Sequence, residues 1–319
     1  MSKAIEQIQF LTVGHVGLGL RGDTPGSPRQ QVHDGDTINV RALGNFDIRF
    51  LGIDAPEISF TLPGGETFIS LSDPRWENYL SDPFAPGLGS FQPDLTAGLR
   101  AYLQAHIGPG TAINHAELAV AAKNALAEET SKDMETLGTN NDDFKFFLAF
   151  AFEIMDRYGR LLCYINRDQP DQNTPEPRPR SYNERLLYRA KVLPYFIWPN
   201  TDPFRQHSSI ADAVIPRGKA NQLASGDNAL AVARKAVSTA RQQQIGIFDA
   251  TKPLRLAPFE VRFLARRSAP DRWIIDLSKN DDVLIQPQNY YTIANVEDRL
   301  FIPEEYVPLF VEKGWQRQA

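Results

Sequence analysis

Four carboxylates and one arginine in this 319-residue sequence are spaced so that they could act on a phosphate ester. His33-Asp34-Gly35-Asp36-Thr37 breaks one run of alternating polar and apolar residues. Ile48-Arg49-Phe50-Leu51-Gly52-Ile53-Asp54-Ala55-Pro56-Glu57 ends another in a proline turn. If the two runs pair as a hairpin, Asp36 and Asp54 lie near the same end of adjacent strands. Two anions there repel unless a hard cation sits between them, which invites calcium or magnesium. Glu57, three residues past Asp54 across Pro56, can face the same cavity without being a ligand, leaving it free to take a proton from water. Arg49 adds positive charge beside them. A plainer arrangement is equally open: Asp34, Asp36 and Asp54 as turn and cap residues, with Arg49 as their ion-pair partner.

The other motifs carry less. Gly17-Leu18-Gly19-Leu20-Arg21-Gly22 fits the dinucleotide fingerprint by spelling, but Pro25 and Pro28 follow where a helix N-terminus is needed. Cys163 is the single cysteine and lies in an apolar strand pattern, so it reads as a small buried residue. One cysteine excludes an internal disulfide framework and a thiolate zinc site, and the five His have no metal-ligand spacing. No apolar run reaches the ~18–20 residues of a membrane span, and no export signal is seen, so a soluble, cytoplasmic protein is expected. Composition is that of an ordinary globular chain, with 42% hydrophobic and 23% charged residues.

The net charge of −5 conceals a division. Residues 1–156 hold 10 Lys and Arg against 21 Asp and Glu, whereas residues 157–272 hold 20 against 10. Most of the basic residues are Arg, whose planar fork grips phosphate in bidentate fashion. The middle of the chain therefore suits an anionic partner, although a solvated basic face explains the charge alone.

The elements that must position these residues begin with strands at 7–13, 31–33, 37–43 and 46–53, the last two joined by a glycine-containing turn at 43–46. A Pro- and Gly-rich insertion, 58–114, follows directly after Glu57 and holds a helix at 95–107; loops this long usually border a site, and this one is expected to line the substrate channel. A helix at 116–135 comes next, then a hairpin of strands 146–155 and 160–166 around Asp156-Arg157-Tyr158-Gly159. A stiff proline-rich loop covers 168–180. Helices are expected at 182–192 and 228–243, strands at 259–265 and 273–277, and a last helix at 304–313.

The string HDGDTINVRALGNFDIRFLGIDAPEI resembles the signature of the staphylococcal nuclease (thermonuclease) family. Asp156-Arg157-Tyr158-Gly159-Arg160 resembles a second block of that family, in the matching order. A weaker third block runs from Asn183 to Asn200. The resemblance implies an α+β fold: a five-stranded OB-type β-barrel with three helices over residues 1–251, carrying the insertion 58–114. A small C-terminal α/β extension, 252–319, has no counterpart. It implies a Ca²⁺-dependent nuclease that hydrolyses phosphodiester bonds of single-stranded or locally melted DNA or RNA, leaving a 3′-phosphate and a 5′-hydroxyl. By position, Asp36 and Asp54 would bind Ca²⁺ through carboxylates and Ala55 through its carbonyl, where the family usually has Thr. Glu57 takes the general-base place, Arg49 and Arg160 the two arginines on the phosphate, and Arg157 and Tyr158 a terminal-phosphate contact. Tyr195 takes the place of an aromatic that stacks on a base. Two other expectations remain beside it: a non-catalytic OB-type nucleic-acid or protein-binding module, and a phosphodiesterase or effector whose insertion restricts access.

Overall fold

The computed structural model describes residues 3–8, 11–32, 37–202 and 208–318. Helices and strands are mixed along the chain, and the strands of the described residues form several sheets, none closed into a barrel. Two sheets carry the candidate site. Strand Ile48–Phe50 runs parallel to Leu161–Arg167, which pairs antiparallel with Phe146–Met155. One residue later, strand Gly52–Asp54 leaves that sheet and pairs antiparallel with Leu193–Ile197. Gly52 makes the switch possible. Its φ is 73°, in the left-handed region, and a Cβ there would sit 3.2 Å from the Tyr164 hydroxyl.

The expected hairpin between 37–43 and 46–53 does not form, because Val40–Ala42 pairs with Val16–Leu18 instead. The five-stranded barrel with three helices is likewise not what the described residues build. Both edges of Leu193–Ile197 are taken, one by Gly52–Asp54 and the other by Arg299–Ile302, which pairs in turn with Trp273–Asp276. The sheet therefore grows outward into the C-terminal segment rather than curling back on itself.

Several helices lie where the pattern placed them. Ala229–Gln242 is capped by the Asn228 side chain, which accepts from the Ala231 N–H at 2.8 Å. Tyr182–Tyr188 and Thr111–Leu137 fill the other two helical stretches, the latter starting five residues early. The helix of the insertion is Ala97–Gln104, capped by Thr96. The clear departure is at 259–265. This is not a strand but a helix, Pro258–Arg266, with Pro258 in its first turn and Glu260 Oε2 accepting the Ala257 N–H at 2.6 Å. Its buried residues Val261, Leu264 and Ala265 follow helical spacing, which leaves Arg262 and Arg266, four apart, together on another face.

The core explains why the insertion and the C-terminal segment exist as ordered structure. Leu71, Trp76, Leu80, Leu99 and Leu103 of the insertion are fully buried against Leu256, Val261, Leu264, Ile274 and Tyr290 of the C-terminal segment. The Tyr79 hydroxyl donates to the Leu264 carbonyl at 2.7 Å across the same boundary. A second cluster joins Leu186, Leu187, Leu230 and Val237 to Phe196, Leu300, Ile302 and Phe310. Thr111–Leu137 is tied to Tyr182–Tyr188 by buried Asp133, which accepts from Arg185 at 2.6 Å, Tyr182 at 2.7 Å and Arg167 at 3.1 Å. Cys163 is buried, as its strand pattern suggests.

Candidate functional site

Pairing of Leu193 with Asp54 fixes the end of strand Gly52–Asp54 and holds the Asp54 side chain in the interior, 1% exposed. An unpaired carboxylate there would be costly, and two guanidiniums meet it. Arg49 Nη2 donates to Oδ1 at 2.6 Å. Arg262, from the Pro258–Arg266 helix, donates from Nη1 to Oδ1 at 3.0 Å and from Nη2 to Oδ2 at 2.8 Å. Its Nη1 also donates to Glu57 Oε1 at 2.6 Å. One guanidinium thus bridges the carboxylates on either side of Pro56.

These contacts set the electrostatics. Burial pushes the Asp54 carboxyl upward, but Arg262 and then Arg49 outweigh it and hold Asp54 below the ordinary carboxylate range. At Glu57 the balance reverses. Burial, reinforced by the Asp54 charge, outweighs the same arginines and raises the pKa above 4.5. Two carboxyls three residues apart are pushed in opposite directions, the pattern expected where one holds charge and the other handles protons.

Glu57 is also held through its backbone. Its N–H donates to His115 Nε2 at 2.8 Å, so the His115 proton belongs on Nδ1, which has no hydrogen-bond partner among the described residues. Burial pushes the His115 pKa down to about 3, and the ring stays neutral at ordinary pH. His115 belongs to the helix Thr111–Leu137, so the element after the insertion fixes the turn that carries Glu57.

A second group lies in the turn that leads into the neighbouring strand, Leu161–Arg167. Asp156 Oδ1 accepts the N–H groups of Tyr158 at 2.9 Å and Arg160 at 3.0 Å, and Oδ2 accepts Arg160 Nε at 2.7 Å, closing the turn expected there. Arg157 Nη2 donates to the Tyr158 hydroxyl at 2.8 Å, and the Arg157 and Arg160 guanidiniums lie 4.9 and 5.3 Å from the Tyr158 ring centre. The register pairs Leu162 with Arg49 and Leu161 with Ile48, so Arg160 lies at the end of the strand beside the one that carries Arg49.

Arg49, Asp54 and Glu57 are therefore brought into one bonded cluster, and Arg157, Tyr158 and Arg160 into another in the turn ahead of the adjoining strand. Ala55 is exposed beside Asp54. Asp36 lies outside the described residues. Tyr195 is buried; Phe259 stacks on it at 5.5 Å and Arg272 Nη1 donates to its hydroxyl at 2.5 Å, so this ring is packed between strand and helix rather than offered to a base. Sequence reasoning missed Arg262 and His115. The available signal for Arg262 was its i, i+4 spacing with Arg266 inside the basic middle of the chain, hidden by reading that stretch as a strand.

Asp54 and the Ala55 carbonyl are hard oxygen donors of the type calcium takes. As arranged, the described residues do not fit a cation. Both Asp54 oxygens and one of Glu57 are bonded to guanidinium, and among the described residues no group of three or more His, Cys, Asp or Glu is placed to hold a metal ion.

Comparison with known proteins finds a distant relative that is named an endonuclease. Endonuclease YhcR of Bacillus subtilis (strain 168) is 23% identical over 300 residues, covering 88% of this chain. The chain spans only 17% of that protein's length. No family model matches the sequence, and no solved structure matches it. Among the described residues no helix is long and apolar enough to cross a membrane.

Proposed function

We propose that the chain is a nuclease that hydrolyses phosphodiester bonds of single-stranded or locally melted DNA or RNA, leaving 3′-phosphate and 5′-hydroxyl ends. The observation that carries this reading is the opposed pair: Asp54 held ionised, Glu57 raised, and guanidiniums of Arg49 and Arg262 around them. Glu57 accepts the proton of the attacking water, and burial tunes it toward that task. Arg49 and Arg160 face the phosphate and stabilise the charge that grows on its oxygens; losing one such donor typically costs about 10²–10³ in rate. The name of the distant Bacillus relative supports a nuclease in general.

Calcium is the cofactor we propose, on Asp36, Asp54 and the Ala55 carbonyl, and Asp54 can take it only by giving up Arg262. A specific observation favours the rival reading of a non-catalytic binding module: both carboxylates are already ion-paired. Incubation with single-stranded DNA separates the two. Acid-soluble products that appear with Ca²⁺ and vanish with EGTA support the enzyme, and binding without products supports the module.

A further inference from the structure

The C-terminal segment sends a second guanidinium toward the site, and no ion pair joins this one to a carboxylate among the described residues. Arg266 stands one helical turn, ~5.4 Å, beyond Arg262 on the same helix face. It is exposed, and no ion pair to it is found among the described residues. Its guanidinium lies 5.2 Å from the ring centre of Phe60, three residues past Glu57. Phe60 is buried, so it supplies a fixed apolar seat that orients the charge without neutralising it.

Counter-charge among the described residues is the smaller share. Arg49, Arg157, Arg160, Arg262, Arg266 and Arg272 gather around Asp54, Glu57, Asp156 and Asp271, an excess of guanidinium over carboxylate among the described residues. Partial desolvation by its neighbours lowers the Arg266 pKa; Tyr158 opposes this, and the Arg262 and Arg157 charges add to it. A cation held in that position gains most from an added anion.

We propose that Arg266 is a substrate-binding residue that takes a backbone phosphate of the nucleic-acid strand next to the scissile one, making the C-terminal segment part of the nuclease site. The inference rests on the function proposed above and adds its substrate class: a strand several phosphates long rather than a small diester. An arginine presented on an aromatic ring suits a phosphate, because the fork is pre-oriented and loses little freedom on binding.

The test uses the full chain with Glu57→Gln to prevent cleavage, a fluorescent single-stranded DNA of about a dozen nucleotides, within the site size such proteins cover, and anisotropy across a salt series. Arg266→Gln should weaken binding about three- to tenfold at low salt and reduce the slope of log K against log salt by ~0.7, the loss of one phosphate contact to a single strand. Arg266→Lys should restore the slope. In the otherwise wild-type chain, Arg266→Gln should lower the ratio of oligonucleotide to dinucleotide kcat/KM. Unchanged affinity and slope in Arg266→Gln, with the parent binding well, would overturn this inference alone. A parent that neither binds nor cuts nucleic acid would overturn it together with the proposed function.

Discussion

Arg262→Gln removes the guanidinium that bridges Asp54 and Glu57. It breaks the 2.8 and 3.0 Å bonds to a carboxylate 1% exposed and the 2.6 Å bond to Glu57. Removing one partner of a buried ion pair commonly costs ~3–5 kcal/mol, because the other charge is stranded. Asp54 keeps Arg49 at 2.6 Å, so the loss should fall near the lower end, about 3 kcal/mol. At ~2–4 °C per kcal/mol in chains somewhat smaller than this one, the melting temperature in EGTA should fall by about 6–12 °C.

The same change frees Asp54 for a cation, and Ca²⁺ should then restore much of the loss: a ligand at a hundred times its Kd contributes ~2.7 kcal/mol. If the parent binds Ca²⁺ only in a state without the Arg262 bridge, and that state is populated at ~1–10%, the apparent affinity is about 10–100-fold weaker than in the variant. Thermal melts of both proteins in EGTA and over a calcium titration, with calorimetry for the Kd, measure each quantity. A variant that melts with the parent in EGTA would refute the stabilising role of the bridge. A variant that loses stability but binds Ca²⁺ no better would refute the exchange at Asp54. The double variant Asp54→Asn with Arg262→Gln should be no less stable than Arg262→Gln alone, since the stranded charge is gone.

Glu57→Gln should lower kcat by at least ~10²-fold with a smaller change in KM, read from steady-state cleavage of a labelled oligonucleotide; a large KM change at constant kcat would make Glu57 a binding group. Because Glu57 is raised above 4.5, the acidic limb of kcat/KM should fall above that value, activity being lost as pH drops and Glu57 takes up its proton. The stability linkage at Asp54 runs in the usual carboxylate sense: its folded pKa is depressed, so its contribution is present above the unfolded value and disappears as pH falls through the folded one. His115→Leu keeps the ring's bulk but leaves the partly buried Glu57 N–H without an acceptor; a loss of ~1–2 kcal/mol in denaturant melts and a fall in kcat should appear together. Replacing 62–110 with a flexible linker strips Trp76, Leu80, Leu99 and Leu103 from the core at ~2–5 kcal/mol each, against a total stability of about 5–15. No cooperative melt should survive, and a well-folded deletion would show that the insertion is peripheral.

Arg49, Asp54 and Glu57 were legible as a group because they fall within one short stretch whose strand and proline turn confine them. The turn Asp156–Arg160 was legible for the same reason, its carboxylate capping N–H groups two and four residues on. What escaped were contacts made across the chain. Arg262 reaches Glu57 over 205 residues and His115 over 58, distances at which no spacing rule operates. The helix Pro258–Arg266 was hidden by Phe259, Val261, Phe263 and Ala265, which alternate as a strand would; Pro258 and the Glu260 cap decide for helix.

The insertion and the C-terminal segment are understood best as halves of one structure. Each carries an apolar face that it cannot bury alone: Leu71, Trp76 and Leu80 on one side, Val261, Leu264 and Ile274 on the other. Packing those faces together is what carries Arg262 to the carboxylates and sets Arg266 over Phe60. The C-terminal segment thus supplies the Arg262 charge at Glu57 and the insertion the apolar face that seats it, because the hydrophobic contact joining them and the polar contacts at the site lie on different faces of one short helix.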